Sequence, residues 1–128
     1  MAHALIADDD QGIRESLRML LEDEGHTVSE ATNGAETLAS LRASGVRCVA
    51  LLDLVMPDTQ GVELLEAIQA DPALVSRHAW VVLSAGSEAL MSQAEPIVTA
   101  LGGVIVRKPF DIDEIARVVR EAAQKLGA

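Results

Sequence analysis

Short apolar runs alternate along this chain with longer segments whose apolar residues recur at helical spacing. The clearest runs are 48–52 and 79–83, shorter ones cover 5–7 and 104–106, and 27–30 is a weaker strand candidate. Apolar runs of this length, bounded by Pro, Gly or charged residues, are typical of strands buried on both faces of a sheet. Because helix-period segments separate the runs, we predict an α/β fold: a doubly wound, five-stranded parallel sheet with helices on both faces.

Turn and capping residues mark the ends of the predicted helices. Gly or an Asp-Pro pair follows three of the helical segments. A capping pattern, with an acidic residue three positions further on, precedes two of them. These signals end the first three helices at Gly25, Gly45 and near Asp71–Pro72, and begin the second and the last helix at Asn33 and Asp111.

The segment between Ser87 and Gly103 gives the weakest signal. Pro96 lies within it, and proline lacks the N–H that a helix interior uses and clashes with the preceding turn. Proline is tolerated in the first turn of a helix. We therefore expect a short helix that begins near Pro96, in preference to a longer helix kinked there.

Size, charge and cysteine content narrow the functional class. The 128 residues are 49% apolar, which suffices for one domain over 1–128 with a hydrophobic core. The net charge of −10 argues against direct nucleic-acid binding and against an anionic membrane surface. No apolar stretch is long enough to span a membrane, no secretory leader opens the chain, and the single Cys48 gives no disulfide framework. We expect a cytoplasmic protein.

Polar residues follow the ends of four predicted strands. They are Asp8 and Asp9, Asp53, Ser84 and Lys108. The carboxyl ends of parallel strands meet at one edge of a sheet, so we expect these side chains to converge. Crowded carboxylates repel one another and suit a hard divalent cation such as Mg²⁺. With a lysine and a hydroxyl beside them, they predict phosphoryl transfer, in which positioning and charge neutralisation dominate.

Each of the polar residues, considered alone, could have a purely structural role. Asp10, Asp58 and Asp111 fit helix caps or turns, and a single Asp at a strand end is as often a cap as a reactive group. The three histidines lie near segment ends, and nothing pairs them into a metal-ligand set. The joint placement of the strand-end residues is what supports a site.

Four separated motifs resemble those of the receiver domains of two-component response regulators. They are Asp8–Asp9, Asp53 within D-x-x-M-P-x-x-x-G, Ser84–Ala85 and Lys108–Pro109–Phe110. The motifs occur in the family's order and extend over essentially the whole chain, so the resemblance is specific. It implies a sheet with strand order 2-1-3-4-5.

The resemblance also implies a role for each motif. Asp53 would accept a phosphoryl group from a phosphohistidine on a sensor histidine kinase or a histidine phosphotransfer protein, forming a covalent aspartyl phosphate. Lys108 and Ser84 would bind the phosphoryl oxygens, and Gly61 would permit the tight loop after Asp53. The implied ligands of Mg²⁺ are Asp8, acting mainly through bound water, Asp9, Asp53 and the backbone carbonyl of Val55.

A protein of this family would be a phosphorylation-dependent switch whose output is a contact with a protein partner, and not an enzyme with free turnover. Ile105 stands where the family usually has an aromatic residue. The smaller side chain predicts a weaker bias between the two states of the switch. We expect the responding face to comprise the Pro96 segment, the fifth strand and the last helix.

Other functions remain compatible with the sequence. The chain could be a stand-alone receiver, because no further domain follows Ala128, or a receiver cut from a larger regulator or hybrid kinase. It could be a docking module that binds partners without phosphorylation. It could also be a Mg²⁺-dependent phosphohydrolase that uses Asp53 covalently. A hydrolase would need a general acid or base, and no histidine or spare carboxylate is placed for that.

Overall fold

A computed structural model of the chain describes residues 2–59 and 62–127. In this part of the chain, five strands form a single parallel sheet in the order β2-β1-β3-β4-β5. The predicted fold class and the strand order implied by the resemblance are both confirmed. The strands are β1 (His3–Ala7), β2 (Thr27–Ala31), β3 (Cys48–Asp53), β4 (Ala79–Ser84) and β5 (Val104–Arg107).

Helices cover both faces of the sheet. The first and last helices pack on one face with the core that contains Leu17 and Val119, and the other four pack on the opposite face with the core that contains Leu64 and Val98. The helices are α1 (Gln11–Asp23), α2 (Gly34–Ala43), α3 (Glu63–Gln69), α4 (Pro72–Arg77), α5 (Glu88–Ala100) and α6 (Ile112–Lys125).

The central strand β3 shows why the predicted runs are apolar throughout. All six of its residues are buried, and successive side chains point to opposite faces of the sheet. Val49 and Leu51 therefore join the core beneath α1 and α6, while Ala50 and Leu52 join the core beneath α2–α5. A strand with helices on both sides has no polar face, so its sequence cannot alternate.

The expectation of a short helix beginning near Pro96 is wrong. Helix α5 begins at Glu88, with the Ser87 hydroxyl accepting a hydrogen bond from the Leu90 N–H at 3.2 Å, and it contains Pro96 in its interior. Pro96 lies on the exposed side of the helix, so water can reach the carbonyl that its missing N–H leaves free. The buried residues at helical spacing, which hold α5 on the sheet, are Met91, Ala94 and Val98.

A helix that the sequence did not suggest follows α3. Asp71–Pro72 ends α3, as predicted, but the same pair also begins α4. The Asp71 carboxylate accepts a hydrogen bond from the Leu74 N–H at 3.4 Å, and Pro72 occupies the first turn, where its missing N–H costs nothing. Leu74 then anchors this single short helix in the core.

The predicted caps of the other helices agree with the structure. Asn33 caps α2 by accepting a hydrogen bond from the Glu36 N–H at 2.8 Å, Asp10 caps α1 through Ile13 at 3.1 Å, and Asp111 caps α6. None of the helices described here is long and apolar enough to cross a membrane.

Two buried histidines hold the amino-terminal end of the sheet. The His78 Nδ1 accepts a hydrogen bond from the Cys48 N–H at 3.0 Å, and its Nε2 lies 3.2 Å from the Leu41 carbonyl oxygen. The His26 Nδ1 accepts a hydrogen bond from the Ala2 N–H at 3.1 Å. Both rings therefore accept hydrogen bonds from backbone groups at the strand ends, as expected of packing residues.

Candidate functional site

Strand register brings the predicted site residues to one edge of the sheet. Asp53 is paired with Leu83 on β4, and Ser84 is paired with Arg107 on β5. Asp8 follows β1 directly and continues its ladder, because the Asp8 N–H donates to the Ala31 carbonyl oxygen at 3.1 Å. The carboxyl ends of β1, β3, β4 and β5 thus lie side by side, with one predicted residue at the end of each.

Three carboxylates converge at this edge. Asp8, Asp9 and Asp53 each offer an oxygen, and these oxygens lie within 4.8 Å of one another. Asp8 is 1% exposed and Asp53 is 8% exposed, whereas Asp9 faces solvent. The cluster therefore contains two buried carboxylates and one that is exposed to solvent.

Lys108 supplies the positive charge of the site. Its Nζ lies 2.9 Å from the Asp8 Oδ2 and 3.6 Å from the Asp53 Oδ2. Only 16% of its side chain is exposed. One ammonium group faces three carboxylates, so the site carries a formal excess of negative charge before any ligand binds.

Burial raises the pKa of Asp53 above its ordinary value. The Val55 N–H, which donates to the Asp53 Oδ1 at 3.1 Å, and the charge of Lys108 both oppose this rise, while Asp8 and Asp9 add to it. A carboxylate that is desolvated and crowded by like charges is poorly stabilised as an anion. It gains from any cation or covalent change that neutralises it.

Ser84 is buried and tied to the backbone on both sides. Its Oγ accepts a hydrogen bond from the Gly86 N–H at 3.0 Å, and its carbonyl oxygen accepts one from the Lys108 N–H at 2.8 Å. Gly86 packs closely on Leu90 of α5, where an added Cβ would lie 2.5 Å from the Leu90 Cδ2. The hydroxyl is thus linked to α5 through one glycine.

The loop after β3 presents Val55 at the surface. Val55 is 50% exposed and lies between Asp53, whose side chain binds its N–H, and Met56, which is buried in the core. The Val55 carbonyl, implied as a metal ligand, belongs to this loop. The tight-loop role predicted for Gly61 lies outside the described residues.

Sequence reasoning missed two contacts that shape the pocket. The Arg14 Nη1 donates to the Asp8 carbonyl oxygen at 2.8 Å, while its Nε binds the Glu30 carboxylate at 2.9 Å. The Asp10 N–H donates to the Asp8 Oδ1 at 2.9 Å. Both contacts fix Asp8. In the sequence, an arginine in the first helical turn after acidic residues at a strand end is a weak signal for the Arg14 contact.

The donor set fits a hard divalent cation. All three convergent side chains are carboxylates, and oxygen ligands are those that Mg²⁺ prefers. The two that are buried share a single lysine, so their repulsion is only partly relieved without a cation. Softer metals that favour nitrogen or sulfur ligands have none here, because no histidine or cysteine belongs to the cluster.

Comparison with known proteins identifies the class to which this fold and site belong. The sequence matches the family described as "Response regulator receiver domain" over residues 4–120. The chain therefore belongs to this family, the receiver domains of two-component response regulators. The family binds Mg²⁺ at an acidic pocket, and its members are phosphoacceptor switches that interact with histidine kinases and output partners.

Similar proteins come from several organisms. The chain is 41% identical over 69 residues to the transcriptional regulatory protein ResD of Bacillus subtilis, covering 54% of this chain and 28% of ResD. It is 31% identical over 130 residues to the DNA-binding transcriptional regulator NtrC of Azospirillum brasilense, covering 94% and 24% respectively. The crystal structure of a CheY-like response regulator receiver domain protein from Methanospirillum hungatei JF-1 matches with a TM-score of 0.78 at 27% identity, covering 98% of each chain.

The curated relatives are longer than this chain. The matched region covers about a quarter of ResD and of NtrC. It covers about half of a third relative, the uncharacterized transcriptional regulatory protein YkoG of Bacillus subtilis. The activities of those whole proteins therefore extend beyond the region that is shared with this chain.

Proposed function

We propose that Asp53 is the phosphoryl acceptor of this receiver domain and that its phosphorylation switches a protein-binding face. The observation that carries the proposal is the convergence of Asp53 with two further carboxylates and with the Nζ of Lys108. Lone carboxylates at strand ends are common helix caps, but a cluster that shares one half-buried lysine is electrostatically costly without a ligand. A phosphoryl group with Mg²⁺ is the ligand that this charge pattern favours.

The proposed reaction is transfer from phosphohistidine. A carboxylate oxygen of Asp53 forms a bond to phosphorus while the P–N bond of the donor breaks, and the bonding electrons leave with the imidazole. Lys108 is placed to bind the phosphoryl oxygens, since its Nζ already lies 3.6 Å from the Asp53 carboxylate. Ser84 would release the Gly86 N–H when its hydroxyl turns toward the new group.

The residues proposed to hold Mg²⁺ are Asp9 and Asp53 directly, Asp8 mainly through water, and Val55 through its backbone carbonyl. When bound, the ion supplies neutralisation of the charge on the transferring phosphoryl group. Asp8 is at the same time the closest partner of Lys108 at 2.9 Å, so it holds the lysine beside the acceptor.

Intact-mass measurement after incubation with acetyl phosphate and Mg²⁺ tests the acceptor. We expect one phosphoryl group on the parent protein and none on Asp53→Asn, which is nearly isosteric and keeps the fold. Asp71→Asn is the matched control, because Asp71 caps α4 at the opposite end of the sheet, and it should label like the parent. Equal labelling of the Asp53 variant would show that another residue is the acceptor.

The same measurement separates the alternative functions. A persistent adduct supports the switch, and the absence of any adduct on the parent supports a docking module that acts without phosphorylation. Rapid release of phosphate with continued turnover supports a phosphohydrolase. We propose further that the domain acts in the cytoplasm, either alone or within a longer regulator, and that its high negative charge leaves direct nucleic-acid binding to other proteins or domains.

The proposed output face comprises α5, β5 and α6. Ser84 adjoins it in two ways, through the Lys108 N–H and through Gly86, which packs against Leu90 of α5. Ile105 is half-buried on β5 and packs against the core that contains the buried residues of α5. This side chain can shift inward by a small distance, and it has no large aromatic ring to expose on the outside. Amide exchange with and without beryllium fluoride, a phosphoryl mimic, should change in α5, β5 and α6. Changes confined to α1 and α2 would contradict the assignment.

A further inference from the structure

The carboxylate of Asp58 binds the first turn of α2. Its Oδ1 accepts a hydrogen bond from the Gly34 N–H at 2.7 Å, and its Oδ2 accepts one from the Ala35 N–H at 3.0 Å. These bonds join the loop after β3 to a helix that begins 24 residues earlier in the chain. Asp58 was expected to be a turn or cap residue, and the helix that it caps is remote in sequence.

Two side chains therefore share the amino-terminal end of α2. Asn33, the residue before the helix, binds the Glu36 N–H, and Asp58 binds the two N–H groups that Asn33 does not reach. The local cap alone would leave these donors to water. The second, distant cap satisfies donors that would otherwise face water, and it also ties the loop to the helix.

The loop that carries Asp58 is closed on itself. The Met56 N–H donates to the Thr59 carbonyl oxygen at 2.9 Å, and the Thr59 N–H donates to the Met56 carbonyl oxygen at 3.1 Å. The Thr59 hydroxyl also donates to the Asp58 Oδ1 at 3.0 Å. Val55 directly precedes this closed turn, so the direction of its carbonyl depends on how firmly the turn is held.

The contact is also sterically close. A Cβ added at Gly34 would overlap the Thr59 side chain, so the loop rests directly on the start of α2. Hydrogen bonds to a carboxylate are stronger than those between neutral groups. The Asp58 carboxylate accepts two of them at the positive end of the α2 dipole. The loop is therefore held at its outer end by Asp58 and at its inner end by the buried Met56.

We infer that Asp58 is a positioning residue: by binding α2 it fixes the loop 54–59, and with it the Val55 carbonyl, in the arrangement that the Mg²⁺ site uses. The inference rests on the proposed function, since Val55 is proposed there as a ligand. A mobile loop would have to be ordered each time the ion binds, and that ordering lowers affinity. Asp58 is not among the residues proposed to hold the ion or to accept the phosphoryl group.

A pair of variants at the same helix end tests the inference. Asp58→Ala removes the distant cap and frees the loop, whereas Asn33→Ala removes the local cap and leaves the loop contact in place. Both should lower the melting temperature, because each removes a cap of α2. Only Asp58→Ala should bind Mg²⁺ about tenfold more weakly in calorimetry, the lower end of what outer-shell partners contribute to metal affinity. Asp58→Asn retains one accepting oxygen and should lie between Asp58→Ala and the parent.

Amide exchange of the metal-free proteins gives a second readout that does not depend on the ion. The Met56 and Thr59 N–H groups should exchange faster in Asp58→Ala and at the parental rate in Asn33→Ala. Equal Mg²⁺ affinity in the two variants, with equal exchange at Met56 and Thr59, would overturn the inference. A parent that takes no phosphoryl group on Asp53 refutes the proposed function instead, and the exchange rates still decide whether Asp58 holds the loop.

Discussion

His78 makes the stability of the fold depend on pH in a way that can be calculated. The Cys48 N–H can only donate, so the His78 Nδ1 must be unprotonated and the proton of the neutral ring lies on Nε2, facing the Leu41 carbonyl. Protonation would place a second donor against the Cys48 N–H. Burial, with the nearby charges of Arg77 and Arg47, lowers the pKa of His78 below the ordinary value of 6.5.

The sign of the effect follows from which state binds the proton first. Below pH 6.5 the unfolded chain takes up a proton at His78 while the folded protein remains neutral there. The free energy of unfolding therefore falls as pH falls, by about 1.4 kcal/mol per pH unit for one histidine, until the lowered folded pKa is reached. Burial also lowers the pKa of His26, which adds to the fall with the same sign. Glu30 and Asp58, whose pKa values are lowered from 4.5 and 3.8, contribute only at more acid pH.

Urea unfolding at intervals between about pH 7 and pH 5.5 measures this slope. In His78→Asn the amide oxygen can still accept from the Cys48 N–H, but the side chain does not titrate. We expect this variant to lose about 1 kcal/mol of stability at pH 7, since the bond to Leu41 is out of its reach, and to lose one histidine's share of the slope. If the stability curves of the parent and the variant stay parallel across this range, His78 does not titrate as argued.

Three further predictions concern the site, α5 and the start of β5. Asp9→Ala should raise the melting temperature of the metal-free protein, because it relieves charge repulsion, and a lower melting temperature would contradict this. The same variant should weaken Mg²⁺ binding in calorimetry by more than the roughly 10- to 100-fold that outer-shell partners contribute. Pro96→Ala should stabilise the protein by about 1–3 kcal/mol in urea unfolding, because it restores a helical hydrogen bond at an exposed position. Gly103→Ala should destabilise by about 2 kcal/mol or more, since its Cβ would lie 2.7 Å from the backbone oxygen of Trp80, whereas Gly45→Ala, with open space around it, should be close to neutral.

The arrangement of the strand-end residues could be predicted because it depends on topology alone. In a parallel sheet the carboxyl ends of all strands lie at the same edge, so the four apolar runs and the residues at their ends place Asp8, Asp53, Ser84 and Lys108 together without knowledge of any side-chain contact. The caps at Asn33 and Asp111 could also be predicted from the sequence, because a capping residue and its partner lie within one helical turn.

What could not be predicted depends on burial or on distant contacts. Pro96 signals a helix start, and only the packing of α5 on the sheet shows that the proline lies on the exposed side of a longer helix. Asp71–Pro72 signals the end of one helix and the start of another with the same two residues, so α4 was missed. The bonds from Asp58 to α2 join residues whose closeness follows from the folded loop, and no local pattern indicates them.

The uneven sharing of Lys108 suggests how charge on the proposed acceptor, Asp53, would reach the proposed output face. In the structure its Nζ is closer to Asp8, at 2.9 Å, than to Asp53, at 3.6 Å. A phosphoryl group on Asp53 would bring further negative oxygens and draw the lysine away from Asp8. The backbone N–H of Lys108 is bonded to the Ser84 carbonyl, so movement of the lysine is coupled to the position of β4 relative to β5. A ligand shifts a two-state equilibrium only by its differential interaction with the two states. The difference in energy between the two pairings of Lys108 is therefore the bias that Ser84 and Ile105 would pass on to the proposed output face. Because Ile105 is smaller than the aromatic residue usual in the family, we expect this bias to be weak.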